Sequence, residues 1–260
     1  MPEDRQSCEV CDGRLRVVLP LVRDPQTGDR FRILRCPECG LGHTAPQPRD
    51  CGDRSFLSAA TASGWLATGV EIELEAARSR GLTVTDRIDD VSGTFDLITL
   101  WHSLEHTRSP RDVLRALTDR LAREGTLIVA VPNFDSLQAR LCKSFWFHLD
   151  VPRHLFHFTP FALRRLLEGC SLEVIRRWDL ELEMDLFGWT QSLLNRVLHT
   201  PNVLFDVLTR RGRDHVPWEI AASFLMAVAA TLVALPLVPL TAGAGSGAVV
   251  IFAARTGTAG

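Results

Sequence analysis

Two apolar segments of β-type residues, separated by a helical segment, limit most strongly what this chain can fold into. Residues 95–101 read Phe-Asp-Leu-Ile-Thr-Leu-Trp, and residues 126–132 read Thr-Leu-Ile-Val-Ala-Val-Pro. Between them, Ser109 precedes Pro110 and apolar residues recur at helical spacing through Leu121, which predicts a helix with a serine N-cap. Nearly continuous apolar strands joined by a helix are typical of a buried parallel sheet. The pattern therefore predicts a doubly wound α/β sheet, in which ligands bind outside the carboxyl ends of the strands.

The amino-terminal segment carries two Cys-x-x-Cys pairs, formed by Cys8, Cys11, Cys36 and Cys39. Each pair makes a tight turn that points two sulfur atoms at one centre, and four thiolates close the tetrahedral site of a structural Zn²⁺. Residues 24–29 read as a hairpin turn between strands at 14–22 and 30–35. Free surface cysteines and a redox Cys-x-x-Cys are the alternatives, but redox motifs occur singly and open a helix. We predict a zinc ribbon over residues 1–45.

Charge and cysteine usage narrow the partners and the compartment. The chain has 29 Lys and Arg residues against 31 Asp and Glu residues, a net charge of -2, whereas nucleic-acid-binding proteins are usually basic. We expect no nucleic-acid partner, although the arginines of the ribbon keep a weaker nucleic-acid role open. Residues 1–12 lack the apolar core of a signal peptide, and paired thiolates suit a reducing compartment. We expect a cytoplasmic protein, and the sequence leaves its oligomeric state open.

The carboxyl-terminal part contains a long segment without charged residues, from residue 220 to residue 254. Residues 220–240 are long enough to cross a bilayer, and three arginines just before them suit a cytoplasmic flank. Pro236 and Pro239 interrupt the segment, and its alanine-rich composition is only moderately apolar. A spanning helix, a membrane-surface contact and a buried domain helix therefore all remain open. Residues 187–208 read as a helical insertion that walls the substrate site or meets the membrane.

Five sequence blocks in combination resemble the class I S-adenosylmethionine-dependent methyltransferases, and within them the branch with an amino-terminal zinc ribbon. The blocks are Cys-Gly-Asp-Arg-Ser-Phe-Leu at 51–57, Gly-Val-Glu-Ile at 69–72, Phe-Asp-Leu-Ile-Thr-Leu-Trp-His-Ser-Leu-Glu-His at 95–106, Val-Pro-Asn at 131–133 and Leu-Asp-Val-Pro-Arg-His-Leu-Phe-His-Phe-Thr-Pro at 149–160. The resemblance implies a Rossmann-like sheet, S-adenosylmethionine as cofactor and methyl transfer to a small-molecule or a lipid- or sugar-linked acceptor. It places the methyltransferase core at 46–180, and an apolar extension with the last sheet strand, at 248–254, in residues 181–260.

The resemblance also implies cofactor contacts, at Gly52, Asp53, Glu71, Asp86, Leu100 and His102. Gly52 matches the turn where the backbone approaches the methionine part of the cofactor. Glu71 matches the acid that accepts both ribose hydroxyl groups, a bidentate role suited to a carboxylate; a solvated acid at a strand end is the alternative. Asp86 falls near the position that contacts the adenine amino group. Leu100 and His102 fall where the end of the fourth core strand lines the cofactor pocket.

The candidate catalytic residues are three histidines, His106, His154 and His157, in two blocks that should converge above the strand ends. Histidine titrates near neutrality and is the usual general base, so His154 or His157 is expected on the acceptor side, with His106 as a positioning group. A hydrogen-bonded structural role is the alternative for each histidine. Arg153 either holds an anionic substrate or pairs with an internal carboxylate, and the sequence does not choose between these.

One part of the sequence departs from the family pattern. The segment between the ribbon and Gly52 contains no apolar run and two prolines, so the central first strand is missing. Asp50 and Arg54 stand where the family has glycines, which brings charge and bulk to a turn that should be bare backbone. The sequence therefore also supports a second hypothesis. In it, the chain is a degenerate, non-catalytic relative that acts as a zinc-binding protein with membrane association.

Overall fold

The structure is a computed structural model of the 260-residue chain. It describes residues 7–45, 61, 63–70, 83–85, 87–209 and 215–257. The predicted cofactor contacts at Gly52, Asp53, Glu71 and Asp86 lie outside these described residues, as do Asp50, Arg54 and the arginines that precede the apolar carboxyl-terminal segment.

The described part contains ten strands and six α-helices. The strands are β1 (Arg16–Arg23), β2 (Arg30–Arg35), β3 (Gly42–Ala45), β4 (Thr68–Val70), β5 (Thr83–Thr85), β6 (Phe95–Trp101), β7 (Leu121–Pro132), β8 (Phe156–His157), β9 (Leu172–Trp178) and β10 (Val249–Thr256). The helices are α1 (Pro110–Thr118), α2 (Leu137–Cys142), α3 (Pro160–Glu168), α4 (Leu182–Val197), α5 (Val203–Leu208) and α6 (Pro217–Gly243).

The ribbon forms a four-stranded antiparallel sheet in the order β1-β2-β3-β8. The hairpin turn at residues 24–29 joins β1 to β2, as predicted. The Asp24 side chain accepts hydrogen bonds from Gln26 N at 2.8 Å and from the Thr27 hydroxyl at 2.9 Å, which closes this turn. The fourth strand, β8, comes from a distant part of the chain, and Gly42 faces His157 in its register. The ribbon sheet therefore includes a strand from the segment between β7 and β9 of the main sheet.

The main sheet has the order β6-β7-β10-β9. β6 and β7 are parallel, whereas β10 is antiparallel to both of its neighbours, β7 and β9. β6, β7 and β9 consequently run in one direction, and their carboxyl ends share one edge of the sheet, which we call the carboxyl edge. The strand predicted at 248–254 is confirmed, and residues 249–254 are all buried in it. The predicted α/β fold is thus confirmed, with a sheet that is mixed rather than purely parallel.

The open side of β6 agrees with a missing first core strand. Among the described residues, β6 pairs only with β7, and no described strand covers its other side. β4 and β5 form a separate parallel pair, in which Gly69 faces Val84. β6 was predicted to be buried, but its residues are half-buried or exposed. An edge position in the described part of the chain explains this difference, because no described strand covers one side of β6.

The helix after β6 starts as predicted but ends earlier. Ser109 precedes α1 and Pro110 occupies its first turn, although the Ser109 side chain makes no capping hydrogen bond. The helix stops at Thr118, and Leu121 instead begins β7 opposite Phe95. Burial of Leu121 in the core, at 7% exposure, stabilises the strand at a position where apolar spacing alone had predicted helix.

The apolar carboxyl-terminal segment forms the 27-residue helix α6, which continues through Pro236 and Pro239. By length and composition this helix qualifies as a membrane span, and only 17% of its most apolar window is buried. Leu225 is 77% exposed, and Val228 and Leu232 are each 64% exposed. The buried-helix interpretation is therefore not what the structure has. The insertion predicted at 187–208 is helical, and it consists of most of α4 followed by α5.

Candidate functional site

The four ribbon cysteines lie together. Their sulfur atoms are all within 4.8 Å of one another, with Cys8 Sγ 3.4 Å from Cys39 Sγ and Cys11 Sγ 3.5 Å from Cys36 Sγ. In a tetrahedral site with Zn–S distances of about 2.3 Å, neighbouring sulfur atoms are about 3.8 Å apart. Val10 N also donates to Cys8 Sγ at 3.4 Å. The predicted cysteines therefore form a set of donors whose spacing fits one tetrahedral ion.

Two glycines let the backbone pass close to this cysteine cluster. A Cβ atom at Gly13 would lie 3.0 Å from Cys36 Sγ and 3.3 Å from Cys11 Sγ, so a side chain there would crowd the sulfur atoms. Gly40 follows Cys39 with φ +79°, a left-handed conformation that favours glycine. Only at Gly13, however, would the added side chain meet the sulfur atoms, because a Cβ at Gly40 would contact Thr159 and Arg35.

The ribbon docks onto the sheet domain through hydrogen bonds and a shared core. Arg111 Nη2 donates to Glu9 O at 3.0 Å and to Val10 O at 2.9 Å. The Thr159 hydroxyl donates to Cys39 O at 3.1 Å. Several ribbon residues, Leu41 among them, pack in one buried cluster with residues of β7, α3 and β10. The ribbon and the sheet therefore hold each other in place.

The two predicted histidine blocks converge at the carboxyl edge. Leu155 N donates to Glu105 O at 2.8 Å, and Leu155 O accepts from Thr44 N at 2.9 Å. Leu155 therefore joins the loop after β6 to β3 of the ribbon, and it brings His154 next to Glu105 and His106. The rings of His106 and His154 are 4.7 Å apart. This proximity could be predicted from topology, because both blocks lie beyond strand ends.

His102 occupies the end of β6 in a left-handed backbone conformation, with φ 46°, which a residue other than glycine adopts rarely. Its amide donates to Ala130 O at 3.0 Å. Nε2 lies 2.7 Å from Glu181 Oε2, and Nδ1 lies 3.4 Å from Glu105 Oε1. Burial lowers the pKa of His102, but the two carboxylates outweigh it and raise this pKa to about 10. His102 is therefore an imidazolium held between two carboxylates.

Leu100, the other described cofactor candidate, lies one residue before the end of β6. It is partly buried and packs against the main hydrophobic cluster. Trp101 beside it is 38% exposed, and its indole N–H donates to Glu181 Oε1 at 3.0 Å. Glu181 thus binds two consecutive residues at the end of β6. It follows β9, whose carboxyl end lies on the same edge of the sheet.

Glu105 is fully buried, and neither of its carboxylate oxygens has a hydrogen-bond partner. Burial raises the pKa of this carboxyl group, but the contact with the charged His102 ring outweighs it and lowers the pKa to about 2. A buried, ionised carboxylate without hydrogen bonds is unusual, since its desolvation is normally offset by donors or a metal ion.

His106 and His154 have the same hydrogen-bonding pattern. His106 Nδ1 lies 2.9 Å from Arg153 O, and His154 Nδ1 lies 2.8 Å from His148 O. A carbonyl oxygen only accepts, so Nδ1 of each ring carries a proton, and Nε2 is the ring nitrogen left to act as an acceptor. Burial lowers the pKa of His154, which keeps that ring neutral. His154 Nε2 lies 3.9 Å from Glu105 Oε1.

His157, the third catalytic candidate, lies on β8 within the ribbon sheet. It is buried, and its Nε2 lies 3.0 Å from the hydroxyl of Thr44. Burial lowers the pKa of His157 well below its ordinary value. Its ring centroid is 6.4 Å from that of His154, compared with 4.7 Å between His106 and His154. The structure brings His106 and His154 together more closely than either approaches His157.

Arg153 contacts internal carboxylates. Its guanidinium donates two hydrogen bonds from Nε to Asp150, at 3.0 and 2.9 Å, and a third from Nη2. Nη1 lies 3.7 Å from Asp24 Oδ1 of the ribbon turn. Of the two interpretations left open by the sequence, the internal pairing is the one seen.

Two carboxylates at the carboxyl edge were not predicted from the sequence as site residues. Glu181 contacts His102, and Asp185 accepts hydrogen bonds from Glu181 N at 2.8 Å and Ala248 N at 2.6 Å. Burial raises the pKa of Asp185 to about 6, although these two backbone donors oppose the rise. Both acids lie at least eighty residues after the end of β6 in sequence. The only signal for them was their place after a strand that ends on the same edge.

Comparison with known proteins gives one family match. The sequence profile of a methyltransferase domain matches residues 51–176. This range contains β6, the histidine blocks and every predicted cofactor contact. No curated protein matches the sequence.

Solved structures with a similar fold include three methyltransferases. An S-adenosylmethionine-dependent methyltransferase from Thermotoga maritima has 14% identity and a TM-score of 0.43, over 77% of this chain and 76% of that chain. One from Clostridium acetobutylicum has 10% identity and a TM-score of 0.36, over 74% of each chain. The O-methyltransferase of a polyketide synthase from Brevibacillus brevis, bound to S-adenosyl-L-homocysteine, has 14% identity and a TM-score of 0.37, over 72% and 55%. These TM-scores are all below 0.5, so the three structures assign no function to this chain.

Proposed function

We propose that this chain, whose residues 51–176 belong to the methyltransferase-domain family, is an S-adenosylmethionine-dependent methyltransferase that binds its cofactor at the carboxyl edge of β6. The observation that supports this most directly is the position of the matched segment. Trp101 is the last residue of β6, and His102 and the histidine blocks lie beyond this carboxyl end, where ligands bind in α/β sheets.

S-adenosylmethionine would supply an electrophilic methyl group at this edge. Leu100 and His102 would line its pocket, with the contacts proposed at Gly52, Asp53, Glu71 and Asp86 completing it. The described residues fit a ligand here, because Trp101 is 38% exposed and no described strand covers the open side of β6. Glu181 fixes His102 and Trp101 together, so this wall is ordered by the protein itself.

The acceptor side is formed by His106 and His154. Methyl transfer needs an acceptor aligned with the methyl group and, for a protonated acceptor, a group that takes its proton. Each ring carries its proton on Nδ1 and donates it to a backbone carbonyl, so Nε2 is the basic nitrogen. His157, whose Nε2 contacts Thr44, is placed to support this pair from the ribbon side.

The ribbon would bind a structural Zn²⁺ through Cys8, Cys11, Cys36 and Cys39, whose sulfur atoms are spaced for a tetrahedral site. All four positions of the ion would be occupied by thiolate, so it would supply folding energy rather than chemistry. Through β3 and Leu155, the folded ribbon would hold His154 at the site.

A membrane-bound acceptor is the substrate class that fits α6. This helix exposes a long apolar face, and it packs on α4, where the hydroxyls of Thr190 and Thr231 are 3.1 Å apart. Apolar surface on this scale is usually covered by a partner or a lipid phase. We therefore propose that the chain contacts a membrane through α6, and not through the whole predicted segment 220–254, because residues 249–254 are buried in β10. The acceptor would be a small lipid- or sugar-linked molecule at that surface.

Titration calorimetry with S-adenosyl-L-homocysteine tests the assignment. We expect saturable binding, weakened by more than about tenfold in Glu71→Gln, because removing one carboxylate removes its charge-assisted hydrogen bonds. Glu73→Gln, which changes a carboxylate two residues away, is the matched control and should leave binding unchanged. Absence of binding up to millimolar ligand would reject the enzyme assignment in favour of the non-catalytic hypothesis.

A further inference from the structure

We propose that Glu105, His106 and His154 form a second metal site, which takes a divalent transition-metal ion such as Mn²⁺, Fe²⁺ or Co²⁺. One ligand atom of each residue lies within 4.8 Å of the others. Metal binding here does not depend on the proposed function, whereas the role of the ion in methyl transfer rests on it.

In this cluster, a nitrogen acceptor of His154 and an oxygen acceptor of Glu105 face each other. His154 Nδ1 donates to His148 O, which leaves Nε2 as the acceptor nitrogen, and this Nε2 faces a carboxylate oxygen of Glu105 at 3.9 Å. This separation is too long for a hydrogen bond, and neither atom can donate. Two buried electron-rich groups that face each other repel unless a cation lies between them.

The carboxylate of Glu105 lacks hydrogen-bond donors. Glu105 is fully buried, and both of its oxygens lack a hydrogen-bond partner. His102 Nδ1 approaches Oε1 to 3.4 Å, an ion-pair contact on one side of the carboxylate. Oε2 has no comparable contact among the described residues. A metal ion would satisfy the oxygens that the protein leaves without donors.

The two histidines make the backbone hydrogen bonds that are typical of metal ligands. Histidine ligands of metal ions usually donate their other ring N–H to a backbone carbonyl or a carboxylate, which fixes the tautomer and aims the free nitrogen. His106 does this with Arg153 O and His154 with His148 O. Arg153 is itself fixed by its hydrogen bonds to Asp150. The outer contacts of a metal site are therefore present.

The donor set selects the kind of ion. Two imidazole nitrogens and one carboxylate suit divalent transition metals and leave coordination positions open, whereas Mg²⁺ and Ca²⁺ prefer oxygen ligands. His106 is only partly buried, so the open positions are accessible from solvent. With an ion bound there, His106 and His154 would serve as ligands instead of bases. The ion would bind an acceptor oxygen or nitrogen next to the strand end where the cofactor is proposed, and would lower the pKa of that group.

The test is direct metal binding by the full chain with zinc already loaded in the ribbon and no cofactor added. Mn²⁺ is the probe, followed by its electron paramagnetic resonance signal, because it competes poorly with Zn²⁺ for four thiolates. We expect one bound Mn²⁺ per chain. Glu105→Gln and His106→Gln should each weaken binding by more than about tenfold. His199→Gln, at an exposed histidine outside the cluster, is the matched control and should bind like the unmodified chain.

Co²⁺ provides a second measurement on the unmodified chain, in case a variant does not fold. Weak d–d bands without a thiolate charge-transfer band would place Co²⁺ at nitrogen and oxygen ligands and support the site. No binding of Mn²⁺ or Co²⁺ at millimolar free metal, or binding that His106→Gln leaves unchanged, would overturn it. These outcomes are separate from the calorimetric test of cofactor binding, so either proposal can fail alone.

Discussion

His102 Nε2 lies 2.7 Å from Glu181 Oε2, a contact that ties the end of β6 to the residues after β9. The same imidazole is 3.4 Å from Glu105. It is a cation between two acids at the edge where the cofactor is proposed to bind. Its charge state therefore sets the electrostatic potential of the whole site.

Replacing Glu181 with Gln should lower the pKa of His102. The carboxylate is one of the two groups that raise this pKa to about 10, and removing a neighbouring opposite charge should lower it by at least about 1 pH unit. The measurement is an NMR titration of the His102 ring protons. Glu183→Gln removes an exposed carboxylate two residues away and should not change the titration. An unchanged His102 pKa in Glu181→Gln would contradict the contact.

Asp185 should make the chain less stable as the pH rises from about 4 to about 7. Its folded-state pKa is raised to about 6 from 3.8, so the folded protein holds this proton more tightly than the unfolded chain does. The resulting stability is present below pH 3.8 and is lost as the pH rises through about 6, a loss of up to about 3 kcal/mol.

Asp185→Asn removes this titration, and urea unfolding at pH 4.5 and 7.5 measures the effect. We subtract the free energy of unfolding of the variant from that of the unmodified chain at each pH. This difference should be smaller at pH 7.5 than at pH 4.5. Asp89→Asn, at an exposed aspartate with a side-chain exposure of 69%, should show no such change. A difference that stays constant with pH would rule out the raised pKa.

Removal of one ribbon thiolate should release the metal and destabilise the chain. Cys36→Ser leaves three thiolates and a weakly binding hydroxyl, so zinc content should fall from one ion per chain to near zero. Elemental analysis after dialysis measures this, and thermal unfolding should shift to lower temperature. Cys170→Ala changes a buried cysteine outside the ribbon and should retain zinc. A Cys36→Ser protein that keeps its full zinc content would show that the ribbon site is misassigned.

Membrane contact by α6 should depend on its exposed apolar side chains. Leu225 and Val228 are 77% and 64% exposed, and each buried aliphatic side chain contributes about 1.5–3 kcal/mol. Leu225→Glu should therefore reduce co-flotation with phospholipid vesicles by at least about tenfold. Leu21→Glu, at a leucine of β1 that is 47% exposed, serves as the control. Equal flotation of both variants, or none by the unmodified chain, would contradict a membrane role for α6.

Features that depend on local sequence could be predicted, and features that depend on pairing across the chain could not. The ribbon turn, β6, β7 and the clustering of four cysteines follow from apolar spacing and from the doubled Cys-x-x-Cys. The pairing of β3 with β8 joins residues more than a hundred positions apart, and no local sequence signal near Gly42 or His157 predicts it. Only the fold reveals it.

The same limit applies to the site. His106 and His154 were found because they follow strand-like segments and have a titratable side chain. In the sequence, Glu181 resembles any acid in a solvated loop. In the sheet, the antiparallel β10 lies between β7 and β9, so β9 runs in the same direction as β6 and its carboxyl end is on the same edge. The early end of α1 has a similar cause, because tertiary burial of Leu121 outweighs helical spacing.

The strand pairing between the ribbon and β8 has a consequence for how the protein would age. The amide N–H of Thr44 donates to Leu155 O, and its hydroxyl donates to His154 O at 2.6 Å. Oxidation of the ribbon thiolates would therefore also affect the position of His154. If the ribbon opened after exposure to peroxide, His154 would lose the hydrogen bonds through Thr44 that hold it near Glu105. The chain would then lose its acceptor-side geometry while the distant strands were still intact.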